Sequence, residues 1–216
     1  MEVAIAGGHG KIALLLGRRL AAEGHDVRGL IRNPGHEDDL HAAGVEPVLC
    51  DLERAGSHQV VEAVSGAEAV VFAAGAGPGS GAERKRTMDE EGAVKLIDAA
   101  GAAGIRRYLM VSAMGAADPP PAGKGEVFGE YLRAKATADR VLEASGLEYT
   151  VVRPGGLTDD PPTGMIELGS GLDRGQIARA DVAAVLHACL FLPQTIDWTF
   201  ETVAGETPIE EALSSL

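Results

Sequence analysis

The 216-residue sequence predicts one α/β domain, residues 1–216, built on a doubly wound, mostly parallel sheet flanked by helices. Three observations carry that prediction. Apolar, β-branched runs alternate with helix-period segments from end to end. The runs are apolar at successive positions, so both faces of each strand are meant for burial, as in parallel sheets covered by crossover helices. The first run passes through a glycine turn straight into an amphipathic segment, which is how a βαβ unit begins. Right-handed crossovers then leave the doubly wound topology as the main arrangement.

In order, Val3-Ala4-Ile5-Ala6 predicts the first strand, Gly7-Gly8-His9-Gly10 its turn, and Leu14 to Ala22 the first helix. Asp26–Ile31 is expected as a strand, Glu37–Ala43 as a short helix, Val45–Leu49 as a strand and Gln59–Val64 as a helix. Ala69-Val70-Val71-Phe72-Ala73-Ala74 reads as a buried strand followed by a glycine loop, Gly75 to Gly81. A longer helix from about Glu83 to Ala103 leads into a strand at Tyr108–Ser112, and Tyr131 to Lys135 falls on the helix after it. Asp118-Pro119-Pro120-Pro121 and Asp160-Pro161-Pro162 read as stiff loop turns. The chain is expected to close with a helix at Arg179–Phe191, a strand at Trp198–Val203 and a short helix from Pro208, with 155–216 forming a small substrate-side extension.

Composition narrows the function classes. A hydrophobic fraction of 45% can fill one core of this length. A formal net charge of −13 repels a phosphate polymer, so nucleic acid is not an expected partner. Cys50 and Cys189 lie far apart in apolar stretches and read as buried reduced thiols. The six histidines lack metal-ligand spacing, so no metal is expected. The first residues enter the strand directly and no apolar run approaches the roughly 20 residues that span a bilayer, so a cytoplasmic protein without membrane attachment is expected. No serine sits in G-x-S-x-G, which argues against a serine hydrolase.

The chemistry gathers at the carboxyl ends of the strands. In G-x-x-G-x-x-A, Gly7 takes the tight turn, Gly10 lets backbone approach phosphates, and Ala13 lets the helix sit close on the strand. Such a turn offers helix N–H groups to a pyrophosphate. After the second strand stand Arg32 and Asn33, where an acid would bind a ribose 2′-hydroxyl; Asp26 is at the wrong end. A guanidinium there suits a 2′-phosphate, so NADP is expected over NAD. Asp51-Leu52 is either an adenine-edge contact or a helix cap. Tyr131 and Lys135, four apart on a helix, share a face, and a neighbouring ammonium is expected to lower the phenol pKa toward general acid/base use. Ser112, at a strand end, is expected to orient a carbonyl by hydrogen bond. Asp181 is expected in the first turn of its helix, where a carboxylate is favourable.

These residues resemble the short-chain dehydrogenase/reductases, in particular the atypical NAD-dependent epimerase/dehydratase-like, NAD(P)-binding group with a Rossmann-type fold. The resemblance covers nearly the whole chain through Gly7-Gly8-His9-Gly10-Lys11-Ile12-Ala13, Ile31-Arg32-Asn33, Phe72-Ala73-Ala74-Gly75, Val111-Ser112-Ala113, Tyr131 to Lys135, Tyr149 to Gly155 and Arg179-Ala180-Asp181-Val182-Ala183. It implies that Gly7, Gly8, His9, Gly10, Lys11, Ile12, Arg32, Asn33, Asp51, Leu52, Ala73, Ala74, Gly75 and Pro154 bind the cofactor. It also implies that Ser112, Tyr131 and Lys135 are the catalytic serine, tyrosine and lysine and touch the cofactor as well. Asp89 stands where the family supplies an asparagine, and an ionised carboxylate cannot donate the hydrogen bond an amide can. The expected activity is NADP(H)-dependent oxidoreduction of a small carbonyl or alcohol. Epimerase/dehydratase-like chemistry through a keto intermediate, and a non-catalytic NADP-binding redox sensor or interaction module, stay open beside it.

Overall fold

The computed structural model describes residues 1–77, 79–116 and 125–216. The turn expected at Asp118-Pro119-Pro120-Pro121 lies outside the described residues. The first strand, β1 (Glu2–Ala6), lies inside the sheet, third from one edge, parallel to β2 (Asp26–Ile31) on one side and β4 (Ala69–Phe72) on the other. Outside β2 lies β3 (Glu46–Leu49), and beyond β4 follow β5 (Arg107–Val111), β6 (Glu148–Pro154) and β10 (Trp198–Ala204), all parallel. The far edge is antiparallel: β8 (Met165–Gly169) pairs with β10, and β11 (Thr207–Pro208) with β8, completing a nine-stranded sheet. Strand order reverses between β1 and β4, which is the topological switch point where doubly wound sheets open a crevice. The expected mostly parallel α/β fold is therefore observed.

Alternate side chains of each strand supply two cores. Val3, Ile5, Val71 and Leu109 face α1 (Lys11–Ala22), α2 (Glu37–Ala42), α7 (Arg179–Phe191) and α8 (Ile209–Ser214). Ala4, Ala6, Val70, Phe72, Tyr108 and Met110 face α3 (Ser57–Val64), α5 (Ala93–Ala102) and α6 (Glu126–Glu143). Both expected free thiols are buried. Among the described residues no helix is long and apolar enough to cross a membrane.

Several boundaries differ from expectation, each for a local reason. Gly10 caps α1, so the helix begins at Lys11, three residues before the expected start at Leu14. Gly44 adopts φ +72° and the Val45 N–H closes onto Leu40 O, so α2 stops at Ala42 and β3 starts at Glu46. The helix expected over 83–103 is three pieces: α4 (Ala82–Arg84), a π-helical stretch at Lys85–Gly92, and α5. Long π segments are rare and favour functional sites; this one buries Met88, Asp89 and Gly92. The two-stranded parallel sheet of β7 (Gly156–Thr158) and β9 (Gln176–Ala178), with β8 and β11, gave no sequence signal because these strands are short and rich in glycine and polar residues.

Candidate functional site

The glycine turn is built so that side chains cannot fit. Gly7 has φ +76°, and a Cβ on it would stand 2.7 Å from Ala74 Cα on the far side of the switch point. Gly8 lies against Gly29 inside β2: its Cβ would meet Gly29 Cα at 2.7 Å, and its N–H donates to Leu30 O at 2.9 Å. Gly10 N–H closes the turn on Gly7 O at 2.7 Å. No side chain caps α1, so the N–H groups of its first turn, from Lys11, Ile12 and Ala13, have no intrahelical acceptor and present the positive helix end to the crevice. Beside them a cleft of about 320 Å³ runs between apolar walls that include Leu30, Leu52, Ala73, Ala76 and Met88. A cradle any Cβ would fill, next to unsatisfied helix N–H groups, fits a dinucleotide pyrophosphate.

At the end of this cleft formed by β2 and β3, Arg32 follows β2 with its side chain 54% exposed, and its Nη1 stands 3.5 Å from Glu53 Oε2. Asp26 sits at the other end of the strand. Asn33 Oδ1 accepts from Gly35 N–H at 3.0 Å, which orients the amide so that Nδ2 donates to His36 Nε2 at 3.2 Å. The His36 ring stacks on His9 at 3.6 Å, and His9 Nε2 lies 2.8 Å from Asp39 Oδ2. Asp51 lines the cleft and also accepts the Glu53 N–H at 3.1 Å, so it shapes the turn after β3 and faces the cavity. Glu53 receives Arg84 Nε and Nη2 at 3.2 and 3.1 Å and Thr87 Oγ1 at 2.7 Å. Burial pushes its carboxyl pKa up, but the Thr87 and Arg84 hydrogen bonds outweigh this and hold it below the usual range. Arg84 also donates to Ala76 O at 2.8 Å and so ties α4 to the loop after β4.

The other end is buried and charged. Tyr131, Lys135 and Asp139 recur every fourth residue on α6 and form one stripe. Lys135, 3% exposed, donates to Val111 O at 3.1 Å and lies 3.3 Å from Asp89 Oδ1, close enough for an ion pair but off the hydrogen-bond direction. Asp89 Oδ2 accepts the Ala76 N–H at 3.1 Å, so the π-helical segment fastens the loop after β4 as well as the lysine. Asp139 Oδ2 accepts from Ser112 Oγ at 2.8 Å and from Arg153 Nε at 2.9 Å. Burial pushes the Asp139 carboxyl up, against the opposing pull of Arg153.

Two expectations change here. The Tyr131 phenol was expected below its ordinary pKa and is instead raised: burial is the largest cause, and Asp89 and Asp139 oppose the lowering by Lys135. The Ser112 hydroxyl, expected to hydrogen-bond a carbonyl, is 3% exposed and donates its hydrogen bond to Asp139 Oδ2.

The carboxyl-terminal segments close around the crevice. Asp159, after β7, bridges Lys11 Nζ at 2.5 Å and Arg179 Nη1 at 2.8 Å, linking the amino-terminal turns of α1 and α7. Asp181, in the first turn of α7 as expected, accepts the Thr163 and Gly164 N–H groups at 3.0 and 2.8 Å. Glu201 on β10 accepts from Gly115 N–H and Leu172 N–H at 3.1 and 2.9 Å, and Met114 N–H meets Pro154 O at 2.9 Å.

A model of the NAD(P)H-binding family matches residues 7–193, from the glycine turn to the end of α7. The chain belongs to that family. A Bacillus subtilis protein named as an uncharacterised sugar epimerase, YhfK, is 39% identical over 221 residues and covers all of both chains. A solved structure from Bacillus halodurans, described as an NAD-dependent epimerase/dehydratase, is 36% identical with a TM-score of 0.92 over the whole of both chains. The oxidoreductase ylbE from Lactococcus lactis is 26% identical with a TM-score of 0.88, covering all of this chain and 96% of that one. The resemblance drawn from the motifs is thus to the right group, an NAD(P)-binding, oxidoreductase- and epimerase-like family.

Within this NAD(P)H-binding chain the cleft collects Gly7, His9, Gly10, Arg32, Asp51, Leu52, Ala73, Ala74 and Gly75 from the expected cofactor set. Asn33 stands behind it as the cap of the turn that carries His36, and Lys11 is turned toward Asp159. Sequence reasoning missed His36, Glu53, Arg84, Asp139 and Arg153. A signal existed for Asp139, since it continues the four-residue spacing of Tyr131 and Lys135 on a face otherwise apolar. The others are brought together by tertiary structure alone.

Proposed function

We propose that the chain is an NADP(H)-dependent oxidoreductase of the short-chain dehydrogenase/reductase type, reducing a small carbonyl compound to its alcohol. The observation that carries this reading is Tyr131 on the face of α6 that also holds Lys135, whose Nζ stands 6.0 Å from the centre of the phenol ring. The first-turn N–H groups of α1 and Gly7 to Gly10 would hold the pyrophosphate, and Arg32 the 2′-phosphate that distinguishes NADP from NAD. NADPH, when bound, supplies the hydride; the protein must supply the proton. Tyr131 keeps its proton through neutral pH and is therefore a donor, which favours reduction over alcohol oxidation, where a phenolate base is needed. Lys135 is fixed by Val111 O and neutralised by Asp89, so it holds position beside the phenol without pulling its proton off. Ser112 commits its one hydroxyl hydrogen to a bond with Asp139 and can only accept from a further partner, which leaves Tyr131 as the group that donates to the carbonyl oxygen. The elements after Pro154 are read as the substrate side; they are 62 residues, room for a small molecule. A cytoplasmic setting and a small-molecule partner go with this reading.

The test is a panel of carbonyl compounds followed by NADPH absorbance. A hit whose rate falls about a hundredfold or more in Tyr131→Phe supports the reading. Tight NADP binding with no turnover across the panel favours the non-catalytic sensor, for which the Asp89–Lys135 pair is the motivating observation.

A further inference from the structure

We propose that the carbonyl compound reduced here carries a hydroxyl on the neighbouring carbon, and that Asp139 sets this preference by making Ser112 a hydrogen-bond acceptor. The inference deepens the reductase reading and rests on it for the role of Tyr131. A serine hydroxyl holds one hydrogen and two lone pairs. Ser112 Oγ donates that hydrogen to Asp139 Oδ2 at 2.8 Å, and the Ser112 N–H is held by Val152 O at 2.8 Å. Asp139 retains it. The carboxylate is fully buried, its Oδ2 also accepts from Arg153 Nε at 2.9 Å, and among the described residues no donor reaches Oδ1. Turning the Ser112 hydrogen toward a substrate carbonyl exchanges a charge-assisted bond for a neutral one about half as strong, and leaves a buried carboxylate with a single donor. What Ser112 offers a ligand is a lone pair.

The site therefore presents two unlike groups, and Lys135 ties them together. Its Nζ donates to the O of Val111, the residue before Ser112, at 3.1 Å and stands 6.0 Å from the centre of the Tyr131 ring. The phenol is a donor and Ser112 an acceptor. A simple ketone answers only the first, because its oxygen has no hydrogen to give, and a second acceptor beside that oxygen repels it. A hydroxyl on the next carbon answers the second. Ser112 is 3% exposed, so the group that meets it must be small and directly beside the reacting carbon. A neutral donor suits it, since Asp89 already faces Lys135 and Asp139 faces Arg153, and neither carboxylate calls for an ammonium. In the reaction the hydride reaches the carbonyl carbon and the Tyr131 proton its oxygen, with NADPH oxidised to NADP+. The α-hydroxy ketone becomes a 1,2-diol; its original hydroxyl keeps its hydrogen and only shares it with Ser112.

The experiment compares hydroxyacetone with fluoroacetone, and 2-hydroxyacetophenone with 2-fluoroacetophenone, in wild type, Ser112→Ala and Asp139→Asn. Fluorine matches the hydroxyl in size and electron withdrawal but has no hydrogen to donate. KM is read from NADPH oxidation and binding from ligand-observed NMR, while NADPH fluorescence titration reports on the cofactor site of each variant. The expected result is a wild-type KM about tenfold lower for the hydroxy ketone of a pair, as for one hydrogen bond, and a ratio near one in Ser112→Ala. Asp139→Asn should keep most of the preference, because its amide oxygen can take the place of Oδ2, where both donors point, and its nitrogen that of Oδ1. No preference in wild type, or one that survives Ser112→Ala, overturns the proposal; loss of the preference in Asp139→Asn overturns the part assigned to Asp139. If no ketone is turned over, the reductase reading fails separately: binding of the hydroxy ketone that depends on Ser112 in NMR still upholds the acceptor site, and its absence overturns it.

Discussion

At the end of the cleft beside β2, charge stands in water. Arg32 is 54% exposed and touches Glu53 at the 3.5 Å limit of a hydrogen bond, while His9 leans on an exposed Asp39. Around α6 the same kinds of group are sealed in: Lys135 is 3% exposed, Asp89 1% and the Asp139 side chain 0%, and each cation faces a carboxylate. The difference separates two tasks. An exposed cation is already solvated and exchanges water for a ligand phosphate at little cost to the fold, whereas a buried one must be matched permanently because an unmatched charge in a low-dielectric site is severely destabilising. Binding specificity can therefore be altered at one end without touching stability, and the reverse holds at the other.

The largest effect that would break this contrast is in Lys135→Met. It strips Asp89 of its counter-ion and should cost about 3–5 kcal/mol in urea unfolding, against about 0.5 kcal/mol or less for Arg32→Ala; similar losses in the two variants would contradict it. Next comes Gly8→Val, which drives a side chain into the Gly29 backbone. We expect about 1–3 kcal/mol of destabilisation, together with loss of NADPH binding by fluorescence titration.

A smaller effect concerns pH. Because the Tyr131 phenol is raised above its ordinary value of 10.0, its proton-donating form persists through neutral and mildly alkaline pH, and the reduction rate should fall only above pH 10. In Asp89→Asn a carboxylate that favours the neutral phenol is gone, so that alkaline limb should move to lower pH; a limb that stays put would remove Asp89 from the account. The smallest effect is expected at the exposed Lys11–Asp159 bridge, where Lys11→Ala should change stability by less than about 1 kcal/mol and less still in high salt.

How much of this was legible in the sequence follows the same division. Gly7, Gly10, Ala13 and Arg32 could be read because backbone geometry and strand ends are local properties, written within a few residues. Tyr131 and Lys135 were equally visible as a helical pair. Their chemistry was not, since the phenol responds to Asp89 from the π-helical segment and Asp139 from two turns further along α6. Ser112 was found in the expected place with an unexpected partner for the same reason: Asp139 is 27 residues away in sequence and 2.8 Å away in space. Gly29 carried a readable hint, a glycine inside a strand, of the close backbone approach that Gly8 makes. The short strands β7, β8, β9 and β11 carried none, because they are ordered by their neighbours and not by their own pattern.

The central claim is that this cleft binds NADP(H) through the α1 cradle and reads its 2′-phosphate with Arg32. Parallel titration of wild type and Arg32→Ala with NADPH and NADH, followed by nicotinamide fluorescence, tests it most directly. The account predicts saturable binding in wild type with NADPH at least about tenfold tighter than NADH, and a preference abolished by Arg32→Ala with NADH affinity unchanged. Equal affinities in wild type, an NADPH preference that persists in Arg32→Ala, or no binding of either dinucleotide at millimolar concentration would contradict it.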